Sequence, residues 1–117
     1  MRNVVLERRT KTFAVRVIRM FGRLPKTTES QVLGKQVLRS GTSVAANYRE
    51  ASRARSSREL KSKLGQVEQE IDETMLWFEL LMEAEIVKRS QLTGLYSEAE
   101  ELLKITVASI KTLKSRK

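Results

Sequence analysis

Apolar residues recur along this chain with spacings of three and four, and the recurrence breaks three times. Leu6, Thr10, Phe13, Val17, Met20 and Leu24 form the first such seam, which predicts a helix over residues 3–22. Pro25 disfavours helix at the residue before it and so closes that element. Thr28 with Gln31 has the pattern of a capping box, which opens a second helix over 28–55. Its seam is Leu33, Val37, Gly41, Val44, Tyr48 and Ala51, with Gly41 either permitting a close helix approach or marking a break. Ser56 with Glu59 repeats the capping pattern and opens a third helix over 57–85, seamed by Leu60, Leu64, Val67, Ile71, Phe78 and Leu81. Met75, Trp77, Leu80 and Met82 make its second half apolar nearly all round, which predicts burial on more than one side. Ser90 is placed to cap a fourth helix over 90–114, with Leu92, Leu95, Ala99, Leu102, Leu103, Val107, Ile110 and Leu113 as its face and a fraying basic tail after it.

Four helices of about 20 residues, joined by short links, fold most economically as an up-down-up-down four-helix bundle. The expected fold is all-α, in one domain over residues 1–117. The chain shows no tandem repeat, no signal-peptide core and no apolar run long enough to span a membrane, so it reads as a cytoplasmic protein. Cysteine and histidine are both missing, which removes disulfides, thiolate sites and the commonest general base and metal ligand.

Charge adds a second pattern to the first. The net charge is +9, and it is segregated: residues 1–65 hold 16 Lys/Arg against 4 Asp/Glu, whereas residues 66–101 hold 2 against 10. Arg2, Arg9, Arg16 and Arg23 recur every seven residues, a spacing that drifts only about 20° per step and so draws one stripe along the first helix. Lys35, Arg39, Arg49 and Arg53 share a face of the second helix, and Arg55 and Arg58 follow just beyond it. In the plainer reading these cations are solvated faces that pair with the acidic third helix. In the sharper one, two adjacent basic faces contact phosphates, with guanidinium groups matching phosphate oxygens in bidentate geometry. Such binding is electrostatic, salt-sensitive and weakly sequence-specific. The residues expected at the phosphates are Arg9, Arg16, Arg39, Arg49, Arg53, Arg55 and Arg58.

Two constellations remain to be weighed as chemistry. Glu70, Glu73 and Trp77 lie on one face of the third helix, where paired carboxylates could begin a metal site. With no histidine to complete it, the plainer reading pairs both acids with an arginine of the second helix or a neighbouring subunit, with Trp77 packed nearby. Ser43 and Asn47 sit at i, i+4 on the second helix, and Ser43 has no activating base. They read as interhelical hydrogen-bonding groups that fix register. Tyr48 could serve as a platform for a base, but its place on the seam makes it core. Nothing here calls for a catalytic residue or a cofactor.

The segment Ser43-Val44-Ala45-Ala46-Asn47-Tyr48-Arg49-Glu50-Ala51 resembles the S-[IV]-x-x-N-[IV]-[AV]-E-[GA] motif of a bacterial four-helix-bundle family, first noticed as products of intervening sequences in large-subunit ribosomal RNA genes. The likeness extends through Leu24-Pro25-Lys26, Arg39-Ser40, Arg53–Ser57, Glu70-x-x-Glu73 with Trp77, and Ile110-Lys111-x-Leu113-Lys114. Arg49 stands where the family usually has a small residue and Tyr48 where it has an aliphatic one. The resemblance implies a bundle that assembles as a homopentameric ring. It also implies kinship with the accessory variability determinant of diversity-generating retroelements, a non-catalytic basic barrel that binds nucleic acid and a reverse transcriptase. The expected function is therefore a homo-oligomeric, non-enzymatic bundle that binds RNA or DNA. The alternative is an adaptor for a nucleic-acid enzyme such as a reverse transcriptase, and a carboxylate metal site is the remote third.

Overall fold

The structure, a computed structural model, describes residues 3–115, which form four α-helices and no strand: α1 (Val4–Gly22), α2 (Thr28–Ser52), α3 (Ser57–Glu83) and α4 (Arg89–Ser115). They make an elongated bundle of 50 × 21 × 19 Å. Sequential helices pack side by side, and α1 and α4 close the bundle through the least extensive of its four contacts. Arg2 of the heptad stripe, and Arg116 and Lys117 of the tail, lie outside the described residues.

Each helix start has a local cause. Asn3 Oδ1 accepts the Leu6 N–H at 2.9 Å and opens α1. Thr27, not Thr28, caps α2, its hydroxyl accepting the Ser30 N–H at 3.3 Å. Gln31, expected to complete the box, instead donates its side-chain amide to the Pro25 carbonyl at 2.9 Å. Two adjacent threonines make the box ambiguous by one residue, and the burial phase of Ser30, Gly34 and Val37 decides it. Ser56 accepts from the Glu59 N–H at 3.1 Å, as its spacing predicts. Ser90 does not cap α4. It falls within the first turn, while the Lys88 N–H donates to Gln91 Oε1 at 3.2 Å just ahead of it.

The ends of α2 and α3 come earlier than the pattern suggests. In α2 the Arg53 and Ala54 N–H groups turn back to Glu50 and Ala51, tightening the last turn and stopping the helix at Ser52. In α3 the Ile86 N–H reaches the Leu81 carbonyl and the Glu85 N–H the Met82 carbonyl, a Schellman closure. Glu85 therefore takes a left-handed φ of 60°, at the position where glycine is usual.

The core follows the predicted seams. Leu6, Phe13 and Val17 of α1, with Leu24 just after it, meet Val37, Val44, Tyr48 and Ala51 of α2, and Leu64, Val67, Ile71, Phe78 and Leu81 of α3. Phe13 and Phe78 cross edge-to-face at the centre, with ring centroids 6.4 Å apart. In α4 the fully buried line is Leu92, Leu95, Ala99, Leu102 and Thr106, whereas Leu103, Val107, Ile110 and Leu113 are half-buried. The limited contact between α1 and α4 leaves that flank less covered.

Two expectations about packing resolve differently. Gly41 is a close-approach residue in an unbroken helix: a Cβ there would sit 2.9 Å from both methyl carbons of Val17. The second half of α3, expected to be buried on more than one side, is not. Leu76 and Leu80 remain 46% and 37% exposed, and Val15 and Ile18 of α1 are likewise uncovered.

Gly41→Ala should lower unfolding stability by about 1–3 kcal/mol, since the stiff β-branched Val17 must give way. Gly65→Ala, where a Cβ meets nothing within 4 Å, should raise it by about 0.5–1 kcal/mol through helix propensity. Urea denaturation of the two variants gives the comparison, and equal effects would remove the close-approach account of Gly41.

Candidate nucleic-acid interface

Helix rotation sorts the arginines. Val17 against Gly41, and Glu7 accepting a hydrogen bond from the Ser52 hydroxyl at 3.0 Å, turn one flank of α1 toward α2. The heptad stripe lies on the opposite flank and faces α4. There Arg9 grips Glu98 through both nitrogens of its fork, Nη2 to Oε1 at 2.8 Å and Nε to Oε2 at 3.1 Å, with Glu101 at 4.0 Å. The Glu98 hydrogen bond holds the Arg9 pKa above its ordinary value, so the cation is permanent. Arg16 lies across Gly94 of α4, its guanidinium nitrogen 3.1 Å from where a Cβ would be.

Arg39 is also engaged within the fold. It hydrogen-bonds Glu73, stands 3.6 Å from Glu70, and shares Glu73 with the Trp77 indole N–H, which donates to it at 3.1 Å. The plainer reading of Glu70, Glu73 and Trp77 is thus the arrangement found: two acids bound to an arginine of the preceding helix. The pair has a guanidinium and an indole for company, and among the described residues no cluster of three or more acids could share a cation.

Ser43 and Asn47 do not act as register groups inside the chain. Both are half-buried, and neither makes a hydrogen bond among the described residues. The buried interhelical hydrogen bond belongs instead to Ser40 and Thr74, whose hydroxyls meet at 2.8 Å between α2 and α3. Ser43 points aside because Val37, Gly41 and Val44 set the inward direction, and Ser40 is nearer to it on the wheel. Glu50, the third motif residue, pairs with Lys63 at 2.6 Å.

Of the stripe residues among those described, only Arg9 has an ion-pair partner, and a second group of cations without one lies on the α2 side of α1. Arg49 of α2 and Arg53 just past its end face Arg8 and Lys11 of α1 across an open groove of about 680 Å³, which Tyr48 and Ala45 help to floor. No described residue forms an ion pair or hydrogen bond with the side chains of Arg8, Lys11, Arg49 or Arg53. The two acids of the groove are both occupied, Glu7 by Ser52 and Glu50 by Lys63. Arg55 of the α2–α3 link and Arg58 of the first turn of α3 stand exposed. Tyr48 is 5% exposed and belongs to the core, and burial raises its hydroxyl pKa, helped by the nearby Glu7. Arg8 and Lys11 were legible only through their i, i+3 spacing on the flank that carries Val4, a weaker signal than the heptad stripe beside it.

Comparison with known proteins settles the lineage. The family model described as 23S rRNA-intervening sequence protein matches residues 2–108. The chain belongs to that family. A solved structure from Bacteroides thetaiotaomicron VPI-5482, described as a protein of unknown function from the S23 ribosomal protein family, is 35% identical. It superposes with a TM-score of 0.87 over 95% of this chain and 99% of its own. Comparison with curated proteins gives no match. Membership accounts for the four-helix architecture. Among the described residues no helix is long and apolar enough to cross a membrane.

One titration follows from the α3–α4 contact. The Tyr96 hydroxyl donates to Glu79 at 2.7 Å, and that bond pushes its pKa from 10.0 to about 12. A raised folded pKa means that the stabilisation is complete below 10 and is lost as pH rises from about 10 toward 12. Tyr96→Phe should remove the phenolate absorbance that appears near pH 12, leaving that of Tyr48, and reduce the alkaline loss of stability; an unchanged absorbance titration would contradict the Tyr96 assignment.

Proposed function

We propose that this protein is a non-enzymatic, homo-oligomeric bundle that binds RNA or DNA through phosphate contacts in the α1–α2 groove. The observation that carries the reading is a groove between α1 and the end of α2 where four cations, Arg8, Lys11, Arg49 and Arg53, have no ion-pair partner among the described residues and both nearby carboxylates are already bound. Guanidinium groups suit phosphate oxygens, and an open groove admits a backbone without reading bases, so sequence specificity is low. Arg55 and Arg58 extend the basic surface at the link, whereas Arg9 and Arg39 have structural duties. The family's tie to ribosomal RNA genes agrees with a nucleic-acid partner and with a place in the cytoplasm. Self-association is supported by Leu76, Leu80, Val15 and Ile18, exposed on two separate outer faces, and a homopentameric ring is the assembly we propose.

Binding of mixed-sequence RNA and DNA, followed by anisotropy at several salt concentrations, tests the proposal. Affinity should fall steeply with salt, and Arg49→Glu with Arg53→Glu should weaken it by tenfold or more while circular dichroism stays the same. Arg9→Gln should cost about 1 kcal/mol of stability or less and leave affinity within about twofold. Salt-independent binding would contradict phosphate contact and favour an adaptor for a protein partner.

A further inference from the structure

We propose that the cleft between the C-terminal half of α1 and the first turns of α4 is a second phosphate site, which holds the same polynucleotide strand at a point distant from the α1–α2 groove. The inference rests on the nucleic-acid reading above but uses different residues. Arg16, Arg19 and Arg23 enter a cleft of about 750 Å³, lined on the α4 side by Ser90, Gln91 and Gly94. No carboxylate lines it, and none of the three guanidiniums has an ion-pair or hydrogen-bond partner among the described residues.

Three features mark the cleft as built for an anion rather than merely solvated. Arg16, Arg19 and Arg23 stand at i, i+3 and i+7, so like charges repel along the helix unless something neutralises them. Glycine at position 94 is the second. It is unfavourable in a helix, and the one contact that a side chain there would meet within 4 Å is the Arg16 guanidinium, so it keeps room for that group alone. The third is the α4 start, whose first turn carries no acid and so adds the helix's positive end to the field. Met20, Leu24, Ile86 and Val87 supply an apolar wall that lowers the local dielectric and strengthens each charge contact.

Position along α1 gives the ligand its dimension. Arg8 and Lys11 lie in one groove and Arg19 and Arg23 in the other, 12 residues apart, or about 18 Å of helix. A single strand crossing α1 obliquely reaches both, and two linked contacts bind more tightly than either alone.

The test uses the full chain and two readouts. In the first, inorganic phosphate is titrated into the protein and followed by the amide resonances of Gln91 and Gly94. These should shift in the wild type and stay still in Arg19→Ala with Arg23→Ala, and in Gly94→Asp, which sets a carboxylate against Arg16. Absence of shifts in the wild type overturns the site. In the second, single-stranded oligonucleotides long enough to span both grooves are bound at several salt concentrations. The double alanine variant should lose about tenfold or more in affinity, and its salt slope should fall by about 1.4, at about 0.7 per lost contact. An unchanged slope and affinity in that variant, with Arg49→Ala and Arg53→Ala still weakening binding, overturns the second anchor and spares the function. Phosphate shifts without any oligonucleotide binding overturn the shared strand and the function together.

Discussion

The approach of α1 to α2 at Gly41 is the constraint on which the surface depends. With no side chain at that position, the Val17 methyl groups sit against the α2 backbone, and α1 has one rotation that allows it. That rotation points Leu6, Phe13 and Val17 inward and sends the heptad stripe toward α4. It also brings Arg8 and Lys11 alongside Arg49 and Arg53. One glycine contact therefore decides which cations reach the α4 side, where Arg9 meets Glu98, and which line the α1–α2 groove.

Charge then divides by what each helix meets. The acidic stretch of α3 and α4 receives Arg39 at Glu70 and Glu73, and Arg9 at Glu98, both bridging elements distant in sequence. These pairs are partly exposed and worth little energy each. The other ion pair among the described residues joins Lys63 to Glu50. The remaining arginines of α1, α2 and the α2–α3 link keep the electrostatic potential of one side positive, which draws polyanions and sets an on-rate that depends on salt.

Much of the fold was legible because hydrophobic spacing states which side faces in. The seams of α1, α2 and α3 hold residue for residue at Phe13, Val17, Val37, Val44, Ile71 and Phe78. The capping-box spacing located the cap at Ser56, with Glu59 three residues on, but missed by one residue at Thr27, whose third residue on is Ser30 rather than an acid or amide. The charged surface was harder to read. Periodicity shows that Arg9, Arg16 and Arg23 share a flank, yet it is silent on which neighbour that flank meets, and that neighbour proved to be α4. Ser43 and Asn47 drew notice as polar residues near a seam, while the hydroxyls that join two helices, Ser40 and Thr74, look unexceptional in sequence. A buried hydrogen bond needs two partners, and the chain shows only one at a time.

The central claim is the division between arginines held by carboxylates and arginines left open. Side-chain Nε–H resonances of the arginines, recorded while a mixed-sequence polynucleotide is added, test it directly. The account predicts that Arg8, Arg49 and Arg53 shift while Arg9 and Arg39 stay in place. Shifts concentrated at Arg9 and Arg39, with the groove arginines unmoved, would contradict it.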